Sequence, residues 1–247
     1  MDVIEVNFIN QTLIVSLRLL PVFLFSAVFS FKGIPLNIKI LLSISFAFVS
    51  SGIISNQIIF PQITPIIVFT ELMFGLFIVL AINITFSTFQ NAGRIFDLTI
   101  GLSTANLIDP STKEMGALFG VFLNLLAIIM FFSINGHHAL LKAIFSMYET
   151  YPPGSLIQDN ALNIILILFS QSFAYAFMLI TPIITSVFII DLIMAVSAKS
   201  MPQLNIFILS IPIKITVGII VLAISLQYLI PLINRIFSNL FVSLGVL

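Results

Sequence analysis

Cysteine and tryptophan are absent from this sequence, and charged residues are scarce. Charged residues make up 7% of the 247 positions, whereas a soluble domain carries roughly a quarter. The lack of cysteine excludes disulfides, thiolate nucleophiles and cysteine-ligated metals within the chain. The formal net charge is zero, and the clustered Lys and Arg that nucleic acid requires are missing. Composition therefore excludes a nucleic-acid partner and argues against a soluble domain.

Apolar residues are abundant instead, at 60% of the chain. A helix needs about 20 predominantly apolar residues to cross a bilayer, and six runs approach or exceed that length. They cover about 8–31, 38–60, 66–89, 117–134, 161–196 and 206–232. We therefore predict an all-α, polytopic integral membrane protein with about six long hydrophobic helices, in a single domain over residues 1–247.

The fifth run is too long for one crossing, and Pro182 lies in its middle. Because proline lacks an amide donor and clashes with the preceding turn, two interpretations stay open. Either one long helix kinks at Pro182, or two shorter helices meet there.

The longest polar stretch lies between the third and fourth runs, at about 90–116. Glycines lie in or flank it at Gly93, Gly101, Gly116 and Gly120. Glycine permits positive φ and close backbone approach, and irregular backbone at membrane depth needs protein or water around it. Residues 101–116 therefore form either a re-entrant, pore-lining loop or an ordinary connection outside the membrane.

Four charged residues lie inside or near the ends of apolar runs: Arg18, Glu71, Asp191 and Lys214. An ionised group facing lipid costs several kcal/mol, so each should face protein or water. A proton or ion relay is one interpretation, and structural pairing between helices or with a partner chain is the other. We favour pairing, because only Glu71 lies deep in a run.

Enzymatic and metal-binding signatures are weak. The sequence contains no phosphate-binding Walker loop, no G-x-S-x-G and no H-E-x-x-H. His137 and His138 are adjacent, so on a helix they point about 100° apart and cannot readily chelate one metal. We expect no catalysis, metal or cofactor. A membrane-embedded enzyme would have to rely on residues such as Glu71, Asp97 or His137.

Several short motifs resemble the FliR/SctT export-gate family of type III secretion systems. They are Arg18 to Pro21, Gly33-Ile34-Pro35, Asn91-Ala92-Gly93-Arg94, Gly101-Leu102-Ser103, Asp109-Pro110, Asn135-Gly136-His137, Tyr151-Pro152-Pro153-Gly154 and Met201 to Phe207 followed by Pro212 and Lys214. The resemblance spans nearly the whole chain, and the order and spacing of the motifs make it specific. One departure is Lys199, where the family usually has arginine.

The resemblance implies a non-enzymatic subunit of a protein-export gate that serves flagellum assembly. Such a chain assembles with FliP-like and FliQ-like subunits at the entrance of the export channel, and an FlhB-like protein docks on the assembly. About 1–135 would be FliP-like and about 136–247 FliQ-like. The resemblance also implies exported proteins in transit, contact with membrane lipid, and a place in the bacterial inner membrane at the flagellar basal body.

The resemblance further implies a pore plug in the long polar segment. Its residues would be Gly101, Leu102, Asn106, Leu107, Ile108, Asp109, Pro110, Met115 and Gly116. Buried charges at helix or subunit contacts are predicted at Arg18, Glu71, Arg94, Asp97, Asp191, Lys199 and Lys214. The alternative function is a small-molecule or ion secondary transporter, in which broken helices near Pro182 and Pro212 frame a site at the membrane midplane.

Overall fold

The computed structural model describes residues 3–29, 34–54, 60–102, 117–155, 160–200 and 206–245. Within these ranges the regular structure is helical throughout, and no strand occurs. The helices are α1 (Val3–Phe25), α2 (Leu36–Ile54), α3 (Pro65–Ile100), α4 (Leu118–Ser133), α5 (Gly136–Thr150), α6 (Asn160–Ser200) and α7 (Ile206–Ser243).

The predicted class, an all-α polytopic membrane protein, is confirmed. Four of the described helices are long and apolar enough to cross a membrane, in α1, α3, α6 and α7. The pair α4 and α5 makes a fifth span if the two are counted together. Asn135 separates them in a left-handed conformation, with φ 57°, which asparagine tolerates better than most residues.

The long fifth run is one continuous helix, so the two-helix interpretation of this segment is wrong. Helix α6 runs through Pro182 from Asn160 to Ser200. The hydroxyls of Thr181 and Thr185, on either side of the proline, donate to the carbonyls of Phe177 and Thr181 at 2.7 and 2.8 Å. Each hydroxyl bonds back to a carbonyl one turn earlier, as threonine commonly does inside a helix.

Helix α3 is longer than the hydropathy of the sequence predicts. The sequence places the start of the polar stretch at residue 90, yet α3 continues to Ile100. The reason is periodicity: Phe89, Phe96 and Ile100 are all buried, on the spacing of one helical face. Gly101, with φ 87°, then ends the helix, since a left-handed residue is the usual helix stop.

The described residues divide into two compact units, and each has its own core. The first unit comprises the described residues of Met1–Thr85, Asn135–Phe169 and Ser238–Leu247. There the Asn83 amide joins α3 to the end of α1, because it accepts from the Ala27 amide at 2.8 Å and donates to the Phe25 carbonyl at 3.1 Å. The predicted single domain, with a boundary near residue 135, stays a prediction.

The second unit comprises Phe86–Ile134 and Ser170–Phe237, again for the residues described. Its core holds a cluster of phenylalanine rings. Phe237 lies 5.3 to 5.8 Å, between ring centroids, from Phe86, Phe89 and Phe131. Tilted and edge-to-face contacts at these distances are favourable for aromatic rings.

Candidate functional site

Arg18 and Glu71 form a buried ion pair in the first unit. Arg18 Nε donates to Glu71 Oε2 at 2.7 Å and its Nη2 to Oε1 at 3.1 Å. Neither side chain has any exposed surface. Gly75, one turn after Glu71, permits this approach of α3 to α1. A Cβ at Gly75 would lie 2.5 Å from the Arg18 carbonyl oxygen.

Aromatic residues complete the surroundings of the pair. The Arg18 guanidinium lies 3.6 Å from the ring centroid of Tyr148 and 4.7 Å from that of Phe74, distances typical of cation–π contacts. The Tyr148 hydroxyl donates to Glu71 Oε2 at 3.2 Å. Arg18 Nη2 also donates to the Tyr151 carbonyl at 3.3 Å. Three helices, α1, α3 and α5, are thereby joined through one buried charge.

This arrangement supports structural pairing over an ion relay at Arg18 and Glu71. A relay needs a hydrated path, and both side chains are sealed from solvent. Their interactions are short, bidentate and directed at each other, which is the geometry that a buried arginine and carboxylate need to offset desolvation.

A second ion pair joins Asp191 of α6 to Lys214 of α7 in the second unit. It differs from the first in exposure: 19% of the Lys214 side chain and 49% of the Asp191 side chain are accessible. The pair borders a cavity of about 440 Å³ that is also lined by Leu98 and Gly101, at the end of α3. The half-exposed Asp191 carboxylate stands beside exposed apolar residues, among them Phe188.

Asp97 binds the start of helix α4. Its Oδ2 accepts a hydrogen bond from the Phe119 amide at 3.2 Å, and Asp97 is 4% exposed. Ala117, which precedes α4, provides no side-chain cap. Asp97 therefore caps α4 from α3, and its negative charge suits the positive end of the helix dipole. Sequence reasoning missed this role, although the apolar residue at the cap position of α4 signals that a cap must come from elsewhere.

Gly93 and Gly120 bring α3 and α4 into backbone contact. A Cβ at Gly93 would collide with the backbone of Phe119 and Gly120. A Cβ at Gly120 would lie 3.2 Å from the Gln90 carbonyl oxygen and 3.1 Å from the Ala117 Cβ. The expectation that Gly93 lies in an irregular loop is therefore wrong: it is helical, and its lack of a side chain permits close packing.

Most of the predicted plug residues lie outside the described part of the chain. Asn106, Leu107, Ile108, Asp109, Pro110, Met115 and Gly116 fall in 103–116. Gly101 and Leu102 are described, and both are half-buried at the end of α3. The plug stays a prediction.

The remaining predicted residues are on the surface of this chain. Arg94 and Lys199 are exposed, so their burial at a subunit contact also stays a prediction.

The His137 and His138 rings lie 4.1 Å apart. Among the described residues, no cluster of potential metal ligands occurs.

Comparison with known proteins covers nearly the whole chain. The family of bacterial export proteins, family 1, matches residues 9–240. The chain is 30% identical over 179 residues to the flagellar biosynthetic protein FliR of Bacillus subtilis (strain 168), covering 70% of this chain and 68% of the relative.

Two further relatives extend the comparison. FliR of Escherichia coli (strain K12) is 25% identical over 228 residues, covering 91% of this chain and 87% of the relative. The Yop proteins translocation protein T of Yersinia pestis is 29% identical over 157 residues, covering 62% and 60%. The chain belongs to the bacterial export proteins, family 1.

Proposed function

We propose that this chain is a subunit of the export gate of a type III protein secretion system of the flagellar type. The observation that carries this function is the family match over residues 9–240. Relatives named for flagellar biosynthesis and for Yop translocation both align with the chain. The flagellar type is favoured because the Escherichia coli FliR alignment covers 91% of this chain, against 62% for the Yersinia pestis protein.

The surface of the helices supports a place in a membrane-embedded assembly. Large apolar side chains are exposed along α6, such as Phe173, Phe177 and Ile193. Lipid or a neighbouring subunit must cover them, since water would not. The half-exposed Asp191 favours protein over lipid on its own part of this surface, because an ionised carboxylate facing hydrocarbon is costly. We infer that the neighbours are FliP-like, FliQ-like and FlhB-like proteins in the bacterial inner membrane.

A secondary transporter has less support. That alternative predicts broken helices near Pro182 and Pro212, where unwound backbone would form a binding site. Helix α6 is continuous through Pro182, and α7 is continuous through Pro212. Catalysis has no comparable support either, and we infer a structural role in a channel.

The segment after α3 supplies the stopper of the channel in this proposal. We name the predicted pore plug, residues 101–116, the stopper segment. Bulky apolar residues in it, such as Leu107, Ile108 and Met115, can fill a lumen and exclude water, which is how a hydrophobic constriction blocks ions. Support comes from the sequence resemblance and from the contacts that hold α3 against α4 on either side of the segment.

Copurification tests the proposed function. The tagged chain, extracted in mild detergent from cells that express the whole secretion system, should carry two other small membrane proteins in a fixed ratio. Recovery of the chain alone as a homo-oligomer that binds a small solute would instead support the transporter.

A second experiment tests the stopper segment. Deletion of residues 104–113 should leave the complex assembled but raise the leakage of ions through the membrane. Conductance at the level of the intact complex would remove the assignment of this segment as a stopper.

A further inference from the structure

The second half of α7 carries an exposed polar face. Gln227, Tyr228, Asn234 and Arg235 are all exposed, and all four belong to the second unit. At about 100° per residue, they lie within an arc of about 120° around the helix axis. We name these four residues the α7 polar face. It lies within Leu209–Ser243, which is long and apolar enough to cross a membrane, and polar groups in such a helix need a polar neighbour.

Two groups on this face are open to a hydrogen-bonding partner. Arg235 takes part in neither of the ion pairs found among the described residues, and its guanidinium carries several N–H donors. Pro231 is exposed in the middle of the same arc. Because proline has no backbone N–H, the Gln227 carbonyl lacks its usual helical donor. The face therefore offers a neighbour both a charged donor and a main-chain acceptor.

The same side of α7 is apolar in the turns that precede the polar face. Ile220 and Ile224 lie on the same arc and are 52% and 59% exposed. Hydrocarbon would cover the isoleucines, but an ionised Arg235 facing it is costly. Water would solvate Arg235 but would leave the isoleucines uncovered. A protein neighbour can satisfy both halves of this surface.

The polar face is also not the level at which the helices leave a bilayer. Helices α6 and α7 run in opposite directions, as expected for neighbours joined by a short connection, and the Asp191–Lys214 pair sets their register. Tyr228 follows Lys214 by as many residues as Phe177 precedes Asp191, so Tyr228 and Phe177 lie at about the same height. A membrane–water interface would make both helices polar there, yet the Phe177 side chain is exposed. The polar face is therefore a local feature of one side of α7.

We propose that the α7 polar face docks against a helix of a neighbouring subunit, and that this helix places an Asp or Glu side chain opposite Arg235. A carboxylate suits the guanidinium because the two form paired, charge-assisted hydrogen bonds. The inference rests on the proposed function, since it requires a neighbouring subunit of the export gate. It adds which face of this chain that subunit contacts and which charge the subunit carries there.

Photocrosslinking in intact cells tests the contact. Tyr228 is replaced by p-benzoylphenylalanine in cells that express the whole secretion system, the cells are irradiated, and the adduct is identified by mass spectrometry of the purified complex. Tyr228 is 73% exposed, so the larger side chain should leave the fold of the chain intact. The expected adduct joins this chain to another membrane subunit that copurifies with it, within about one helical turn of an Asp or Glu.

Substitution of Arg235 tests the charge. In the chain with the photoreactive side chain, Arg235→Glu should lower the adduct yield about tenfold, the loss expected for one charge-assisted contact. Arg235→Lys keeps the charge and should retain most of the yield. Replacing the partner's acid with arginine should restore the yield of Arg235→Glu, because the exchange rebuilds the ion pair with its charges reversed.

Lys142→Glu provides the matched control. Lys142 is an exposed basic residue of α5, in the first unit rather than the second. Reversal of its charge should leave the adduct yield unchanged. This control separates the contact of Arg235 from a general effect of reversing a positive charge on the chain.

The outcomes separate this inference from the proposed function. If the chain copurifies with other subunits but yields adducts only with lipid, with an exported protein or with a second copy of itself, the inference is overturned and the proposed function stands. If the chain copurifies with no other subunit, both fall. Equal adduct yields for Arg235→Glu and Arg235→Lys would overturn the acidic partner.

Discussion

Arg18 illustrates what a buried charge can do in a membrane protein. Its side chain is fully buried, pairs with Glu71 and lies over the ring of Tyr148. The sequence singles out both ions, because charge inside an apolar run is costly. It does not indicate that the two bind each other, since 53 positions separate them and the pairing depends on how α1 and α3 pack. No feature of the sequence identifies Tyr148 as part of this buried site.

The pair predicts a double-mutant pattern. Arg18→Leu alone leaves the Glu71 carboxylate buried without its ion-pair partner, and Glu71→Leu alone does the same to the Arg18 guanidinium. Each should destabilise the protein by about 3–5 kcal/mol, whereas the double variant should recover a large part of the loss. Retention of the monodisperse complex after heating in detergent provides the measurement.

Glu149→Gln, at an exposed acid, is the matched control and should not alter heat resistance. The structural assignment of the pair fails if the single variants are as stable as the unaltered chain. It fails equally if the double variant is as unstable as the less stable of the two single variants.

The helices show where sequence patterns suffice and where they do not. Apolar runs predicted where α6 and α7 begin, because long hydrophobic stretches need no tertiary information. They left open whether α6 breaks at Pro182, and they ended the last run near 232, whereas α7 continues to Ser243. The end of α3 was missed because average hydropathy hides the periodic burial of Phe96 and Ile100. The cap of α4 by Asp97 was missed because it comes from another helix, 22 residues away.

Two glycines, one at the end of α3 and one inside α2, predict opposite effects on substitution by alanine. Gly101 has φ 87°, and an added Cβ would lie 4.0 Å from the Ile211 side chain, an ordinary contact, so Gly101→Ala costs backbone strain of about 1–2 kcal/mol. Gly52 lies inside α2 without a neighbour within 4 Å of an added Cβ, so Gly52→Ala should stabilise by about 0.5–1 kcal/mol. Amide hydrogen exchange should rise in the last turn of α3 for the first and fall in α2 for the second. Equal changes in both would contradict the assigned backbone geometry.

At the scale of the whole molecule, the exposed apolar surface dominates. Hydropathy reports an apolar environment, and neighbouring subunits provide one as well as lipid does. The Asp191–Lys214 pair favours a neighbouring subunit over lipid on its part of the surface, because the pair lies partly exposed among apolar side chains. We expect a polar group of a partner subunit to face Asp191.

We predict that a double variant with Asp191→Leu and Lys214→Leu still inserts into the membrane but assembles less well with its partner subunits. Two leucines suit lipid, so the chain should still enter the membrane. Copurification of the partner subunits should fall about tenfold, as expected when one charge-assisted contact is lost. Full recovery of the partners would show that lipid covers this part of α6 and α7.

The central claim is that this chain is needed for protein export through a type III secretion channel. The most direct measurement is the amount of flagellar proteins in the culture medium after the gene is deleted and then restored from a plasmid. Secretion and flagella should disappear on deletion, while the cytoplasmic level of the same proteins persists, and both should return on restoration. Undiminished secretion in the deletion strain would contradict it.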